Sequence, residues 1–490
     1  MMPHIRFSSL PALAVSGALL AGCSFVPDYE RPAAPVSYSW PAGPAYDVQT
    51  VSQENGPSAA EVGWRDFFVD RRLQGLIALA LQNNRDLRVA ALDIVKARAE
   101  YRVSRSDLLP KVDLNGSYTR ERTAEDFSST GRAETGSEYD VSLGTSSYEI
   151  DFFGRVRALK DQALESYLST EEAQRSAQIS LVAEVATAYL TLIADREQLE
   201  LSRQTVESQR ASYELTGKSH DLGVASLLDL RQAQMSVETA RADVALYTAQ
   251  VAQDLNALAL LIGTAIPPEL LSAQSLDEVT ILEDLPVGLP SEVLQRRPDI
   301  LEAEHDLKAA NANIGAARAA FFPSVTLSLS GGTSSTTLSS LFTGGSMVWS
   351  FVPQVSLPIF DAGENQANLD AAKADRDILI AEYEQAIQTA FSEVADALAV
   401  RGTVDERLDA QQAFVGAADE SYRLADARFR RGVDDYLDVL DSQRELYSAQ
   451  QDLISIRLTR SSNLVTLYQV LGGGLLEGTN TEPKTAEAQN

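Results

Sequence analysis

Cysteine occurs once, at Cys23, which excludes disulfides and any zinc site built on cysteine. The three histidines, His4, His220 and His305, are scattered too widely to spell out a metal cluster. No phosphate-cradling loop is present, no dinucleotide-binding glycine motif follows a strand-like run, and no nucleophile has an evident histidine base beside it. These gaps argue against an enzyme and predict a chain without catalytic residues or bound metal. Basic residues are also short: 41 Lys and Arg against 69 Asp and Glu leave a net charge of −28. A phosphate backbone needs a basic surface, so nucleic acid is excluded as a partner, and an anionic membrane surface is not suggested either. An acidic surface suits a conduit for cations or plain solubility, and composition does not separate the two.

What is present begins at the amino terminus. His4 and Arg6 precede an apolar run over 10–20 that ends in Leu20-Ala21-Gly22-Cys23. The run is too short for a permanent membrane helix and has the three regions of a secretory signal. With the only cysteine placed directly after Leu-Ala-Gly, it resembles the bacterial lipoprotein signal. That resemblance implies a signal peptide over 1–22, removed before Cys23, and a Cys23 carrying a diacylglycerol and an N-acyl chain such as palmitate. Several acyl chains anchor stably where one is marginal. Ser24, in place of the aspartate typical of inner-membrane retention, implies delivery to the outer membrane. Residues 24–63 are rich in Pro, Ser, Gly and Ala, and a lipidated tether is expected over 23–69.

Beyond the tether the sequence repeats itself. At an offset of 213, Asp86 meets Asp299, Ala90 meets Ala303, Arg105 meets Arg318 and Pro110 meets Pro323. Later the offset becomes 209, where Gly154 meets Gly363, Tyr213 meets Tyr422, Gly223 meets Gly432, Asp229 meets Asp438 and Gly263 meets Gly472. A tandem duplication accounts for this register. The repeats are expected over 70–263 and 291–472, joined by a linker over 264–290 and followed by a flexible tail over 473–490.

Each half predicts the same elements. A helix (71–108; 291–320) stops before Pro110 or Pro323, because proline removes a donor and bars continuation. Two strands follow, about 112–123 and 138–151 in one half, 324–332 and 347–360 in the other. Val325, Leu327 and Leu329 alternate with Ser324, Thr326, Ser328 and Ser330. An apolar face backed by a small polar face is the pattern of a transmembrane strand, with a soluble hairpin on a core as its competitor. Pro353 and Pro358 fit an interior strand badly. A helix then runs from Gly154 without proline to Gly217, roughly 90 Å at the standard rise, and its copy runs from Gly363 to Arg430. Helices of this length pair laterally, as coiled coils do, and the alanines along both permit close approach. A Gly-Val turn (Gly223-Val224; Gly432-Val433) reverses each into a return helix. Four strands cannot close a barrel, and an open edge is forbidden in lipid, so several copies must contribute strands.

Three segments carry a family resemblance: "GLPSEVLQRRPDILEAEHDLKAANANIGAARAAFFPSVTLSLSGG" (288–332), "YLDVLDSQRELYSAQ" (436–450) and "LYQVLGGG" (467–474). With them the chain resembles the outer-membrane efflux factors (TolC-like), in the lipoprotein branch that serves resistance-nodulation-division pumps. The resemblance spans nearly the whole mature chain. It implies a mainly α fold with a β-barrel part: a homotrimer forming a 12-stranded barrel in the outer membrane, continued by a long periplasmic α-helical barrel. The implied role is the exit duct of a tripartite efflux system for small molecules, with a periplasmic adaptor and an inner-membrane pump as partners and no cofactor beyond the lipid on Cys23.

The same resemblance implies site residues. Gly223, Val224, Ala225 and Ser226, with Gly432 and Val433, match the tip that the adaptor grips; both glycines are also ordinary helix caps. The closed gate matches Leu437 as hydrophobic constriction, Asp438 and Asp441 as acidic rings and Arg444 as their basic partner. Phe429 stands where the family usually has tyrosine, so the phenolic hydrogen bond is in doubt. Asp434 stands where some members have an arginine bridging to the carboxylate matched by Asp229. That bridge is therefore expected to be missing, leaving Leu437 and the Asp441–Arg444 pair to hold the closed state. Three copies of Asp441 around one axis would repel unless neutralised; a solvated acidic helix face is the plainer reading. The rival functions are a peptide or protein secretion duct driven by an ATPase, a periplasmic coiled-coil scaffold, and a hydrolase using Asp438 and Asp441.

Overall fold

The computed structural model describes residues 24–46, 58–283, 285 and 296–479. The expected signal peptide and the acylated Cys23 lie outside them. The chain divides into two compact units, one of residues 1–33, 93–171 and 302–384, the other of 34–92, 172–301 and 385–490. Among the described residues the order is α1 (Trp64–Phe67), α2 (Arg71–Asn83), α3 (Arg85–Ser106), β1 (Asp113–Thr123), β2 (Glu134–Glu149), α4 (Arg155–Asp221), α5 (Leu227–Ile262), α6 (Pro298–Ala319), β3 (Ser324–Ser335), β4 (Met347–Ser356), α7 (Glu364–Arg430) and α8 (Tyr436–Val470). From α3 and from α6 the same sequence of helix, two strands, long helix and return helix is played twice.

The first unit holds a single antiparallel sheet in the order β1-β2-β3-β4. Its register places Tyr118 opposite Tyr139, with ring centroids 4.7 Å apart. Gly144 lies opposite Ser330, and Leu327 opposite Pro353. Within one chain β4 is an edge strand, and its Pro353 can give no backbone donor to a ladder. A bulge between Thr145 and Tyr148 shifts the register of β2, with Ser147 in the left-handed region at φ 55°. β4 is exposed along its length, including Met347, Trp349, Phe351 and Val355. Within the same unit the segment after Cys23 lies against α6. Phe25 stacks on Phe322 at 4.5 Å, Arg318 donates to the Phe25 carbonyl, and Arg31 grips the nearly buried Glu304 through two bonds of 2.6 and 3.1 Å.

The second unit holds the main core. Phe67 stacks on Tyr468 at 4.0 Å, and the Tyr468 hydroxyl donates to the Val62 carbonyl at 2.7 Å. Around them pack Trp64, Phe68, Leu73, Ile77, Leu190, Ile193 and Leu464. α4 supplies much of this packing. It contains a window apolar enough to cross a membrane by length and composition, but 61% of that window is buried inside the protein. Its hydrophobicity therefore serves the core.

Four boundaries differ from the sequence expectation. The tether was expected to reach residue 69, yet Ala59, Val62, Trp64, Phe67 and Phe68 are core, and Asp70 caps α2 by accepting from the Arg72 and Leu73 amides. The helix expected over 71–108 breaks at Asn84, whose side chain accepts from the Leu87 amide and donates to the Leu261 carbonyl. An asparagine offers the backbone such alternatives and so ends one helix and starts the next. The linker is no free connection: Ala273, Leu276 and Ile281 are buried, and Ile281 pairs with Phe68. Of the expected flexible tail, residues 473–479 are tied down, since Trp64 and Arg65 donate to the Leu476 and Glu477 carbonyls. Gly402, inside α7, marks a close approach; a Cβ there would run into the Ala45 carbonyl.

Candidate functional site

Apart from Cys23, which lies outside the described residues, the site residues singled out by sequence fall in the second unit, at the two helical hairpins α4–α5 and α7–α8. Both hairpins turn by the same backbone device. The Gly223 amide donates to the His220 carbonyl and the Gly432 amide to the Phe429 carbonyl, each at 2.8 Å. The following valines reach back one residue further, Val224 to the Ser219 carbonyl and Val433 to that of Arg428. This is the reciprocal closure of a helix C-terminus, and it needs a residue at positive φ; Gly223 and Gly432 stand at 76° and 71°. The turns leave Leu222, Val224, Leu228 and Val433 exposed, Val224 by 81%. Apolar side chains presented at a tight turn, with the carbonyls and amides already satisfied, suit a protein partner.

The side-chain chemistry of the two turns differs. In the first, Ser226 accepts from the Asp229 amide while the Asp229 carboxylate accepts from the Ser226 amide and hydroxyl, both at 2.8 Å. This capping box starts α5 and commits Asp229 locally. In the second, Asp435 stands in place of Ser226 and makes no side-chain cap. Arg428 and Asp434 form a two-pronged ion pair across the turn instead, one prong 2.7 Å long. The guanidinium holds the Asp434 carboxyl below its ordinary range and is itself pushed up. Asp434 thus forms an ion pair within its own hairpin.

Leu437, Asp438, Asp441 and Arg444, which the resemblance matched to a gate, lie in the first three turns of α8. Leu437 is 47% exposed, and Asp438 and Asp441 are exposed. Arg444 approaches Asp441 at 3.6 Å, beyond hydrogen-bonding distance, with both side chains solvated. An ion pair of that kind is weak, so within one chain it locks little. What fixes this segment is the opposite face of α8. Tyr436, Val439 and Leu440 are buried with Ala425 of α7 and Ala233 of α5, and the half-buried Phe429 packs on the Tyr436 ring at 5.4 Å. Burial pushes the Tyr436 phenol up. Gln443 donates to Ser208 of α4 at 3.0 Å, and the Tyr447 hydroxyl ties Ser202 of α4 to Asp243 of α5. Sequence reading missed Arg428 and Tyr436; the signal for Tyr436 was its spacing of three and four residues from Val439 and Leu440. Among the described residues no group of three or more His, Cys, Asp or Glu is placed to hold a metal.

With this geometry in hand, comparison with known proteins is direct. The family model described as outer membrane efflux protein matches residues 76–264 and 289–473, one match for each repeat. The toluene efflux pump outer membrane protein TtgC of Pseudomonas putida is 51% identical over 481 residues, covering 98% of this chain and 99% of that one. Among solved structures, a membrane protein from Pseudomonas aeruginosa superposes with a TM-score of 0.85 at 43% identity, covering 92% of this chain and all of that one. The open state of the MtrE outer membrane channel of Neisseria gonorrhoeae superposes with a TM-score of 0.84 at 40% identity, covering 94% and 100%. Two family matches spanning both repeats, together with relatives matched end to end, mean that this chain belongs to the outer membrane efflux protein family.

Proposed function

We propose that the protein is the outer-membrane exit duct of a tripartite efflux system, which passes small molecules delivered by an inner-membrane resistance-nodulation-division pump through a periplasmic adaptor. The observation that carries this reading is the sheet. Its edges, β1 and β4, each present unpaired backbone groups, and β4 exposes an apolar face. In lipid such edges must be closed, and copies of the chain joined β4 to β1 would close them. Three copies supply twelve strands, enough to enclose a pore. The duct has no chemistry of its own to perform; it offers a path, and the pump supplies the energy.

The remaining assignments follow from the same reading. The apolar turn residues Val224 and Val433, with Gly223, Ala225, Ser226 and Gly432, are the adaptor contact. Leu437, Asp438 and Asp441 would form rings when repeated about a three-fold axis, with Arg444, Phe429 and Asp229 as their supports. Diacylglycerol and an N-acyl chain on Cys23 would anchor the protein beside its strands, since Phe25 packs against Phe322, next to the start of β3, and near Phe153, just past the end of β2.

The test is independent of the exported compound. Purified from membranes, the protein should have the mass of a trimer and open discrete conductance steps in planar bilayers. A monomer that adds no conductance would overturn the reading.

A further inference from the structure

The duplication lets one repeat be compared with the other inside a single unit. In the second repeat Arg297, buried just before α6, is held at three points. It grips Asp299 at 2.5 and 3.0 Å, reaches Glu393 of α7 at 2.8 Å and donates to the Val470 carbonyl of α8 at 2.9 Å. Two carboxylates therefore share one guanidinium, whose flat fork suits such bridging. Arg297, Asp299, Glu393 and Val470 all line one cavity of about 790 Å³.

The first repeat builds the same place without the cation. At the offsets of 213 and 209, Asp86 aligns with Asp299, Glu184 with Glu393 and Leu261 with Val470, but Asn84 stands where Arg297 does. The match holds in space as well. The Asn84 side chain donates to the Leu261 carbonyl at 2.8 Å, as Arg297 does to that of Val470. Glu184 and Leu261 border a cavity of about 430 Å³, the counterpart of the larger one. Its wall carries a further acid, Asp254, where the second repeat has the neutral Asn463, and Oδ2 of Asp254 has no donor. Thr187 in place of Asp396 gives one charge back, so the first cavity is the more negative by one. None of the residues lining it is basic.

The surroundings do not make up the loss. Glu184 is open to solvent, yet partial loss of water and then the Asp86 charge push its carboxyl up. Arg85, next to Asn84, spends its guanidinium on the Asn83 carbonyl. In the second cavity α4 adds a further wall, Ser176, Ile179 and Ser180. The α7 residues aligned with these are Gln385, Gln388 and Thr389. A neighbouring copy completing the first cavity in the same way would bring amides and a hydroxyl, and no cation.

We propose that the first cavity binds a small organic cation carrying a guanidinium group, which takes the place that Arg297 fills in the second repeat and is held by Asp86 and Glu184. The comparison between repeats also selects the ligand class. Among the described residues no three acids converge on one point as a metal requires, whereas the second repeat shows the aligned carboxylates spanning a guanidinium. Asp254 places charge at a second point of the wall, which suits a ligand with an ammonium beyond its guanidinium. The groups that carry the proposal lie within the second unit of one chain, so it stands apart from the duct reading.

The probe is agmatine, a guanidinium joined by a short methylene chain to an ammonium. It is titrated by calorimetry, at fixed ionic strength, into the full-length protein in lipid nanodiscs. Wild type should bind it saturably, one molecule per chain. Glu184→Gln should weaken binding about ten-fold, the loss of one charge-assisted bond. Asn84→Arg, which installs the guanidinium of the second repeat, should abolish it. Where Asn84→Arg does not assemble, Asp86→Asn takes its place, with the loss expected of Glu184→Gln. No saturable binding in wild type, or undiminished binding in either variant, would overturn the site. The mass of the same preparation reports assembly separately, so failure of the site and failure of the trimer are told apart.

Discussion

The two hairpin tips are copies of one device that have parted company in chemistry. Their backbones agree in the glycine at positive φ, in the paired amide-to-carbonyl closure and in the exposed valine that follows. Their side chains do not. The α4–α5 tip is closed by a neutral-to-acid capping box, Ser226 with Asp229, which stabilises one helix start and goes no further. The α7–α8 tip has given up that cap and carries an ion pair, Arg428 with Asp434, followed by the exposed Leu437, Asp438 and Asp441. The duplicated backbone shows what any tip needs; the divergent side chains show what only one tip does. Capping serves the fold of a single chain. Exposed acids in a row do no capping, and in the proposed duct they would form rings where copies of the chain come together.

The largest expected effect on that comparison comes from the shared feature. Replacing Gly432 or Gly223 with valine forces a β-branched residue to φ near +70°, a cost of about 1–2 kcal/mol per chain from the left-handed backbone alone. Both variants should lower the thermal midpoint and weaken adaptor binding in a pull-down to a similar degree. If only one of them does, the tips are not equivalent as structures.

Next come the features that differ. Arg428→Ala frees Asp434 and should raise single-channel conductance with little change in stability. Ser226→Ala should do the reverse, losing about 1 kcal/mol of cap and leaving conductance as it was. Exchange of these two outcomes would mean that the capping box, and not the ion pair, governs the pore.

The smallest effect concerns pH. Asp434 is held below its ordinary range by Arg428, so its contribution is present above the usual carboxylate range and is lost only as pH falls below about 4. Between pH 5 and 8 the second tip should therefore be insensitive to pH. Conductance recorded across that range should be flat in the wild type; a slope would place another titrating group at the tip.

Much of this was legible in the sequence because its signals are local. Proline after Leu109 and Phe322, glycine-valine at the two turns, and long runs without breakers mark helix ends and lengths through backbone chemistry alone. The repeat made each signal count twice. What escaped depended on distance in space. Asn84 breaks a helix because it reaches Leu261, and Phe67 and Phe68 read as tether until Tyr468 packs against them. The Arg428–Asp434 pair was not visible, since the two residues meet only across a turned backbone.

The claim that most needs testing is that the acidic hairpin lines the pore while its twin does not. Asp441 aligns with Gln232 in the first copy, so one pair of substitutions decides it. In planar bilayers, Asp441→Ala should raise single-channel conductance and reduce block by divalent cations, and Gln232→Ala should leave both at wild-type values. Unchanged conductance and block in Asp441→Ala, or an equal change in Gln232→Ala, would contradict the account.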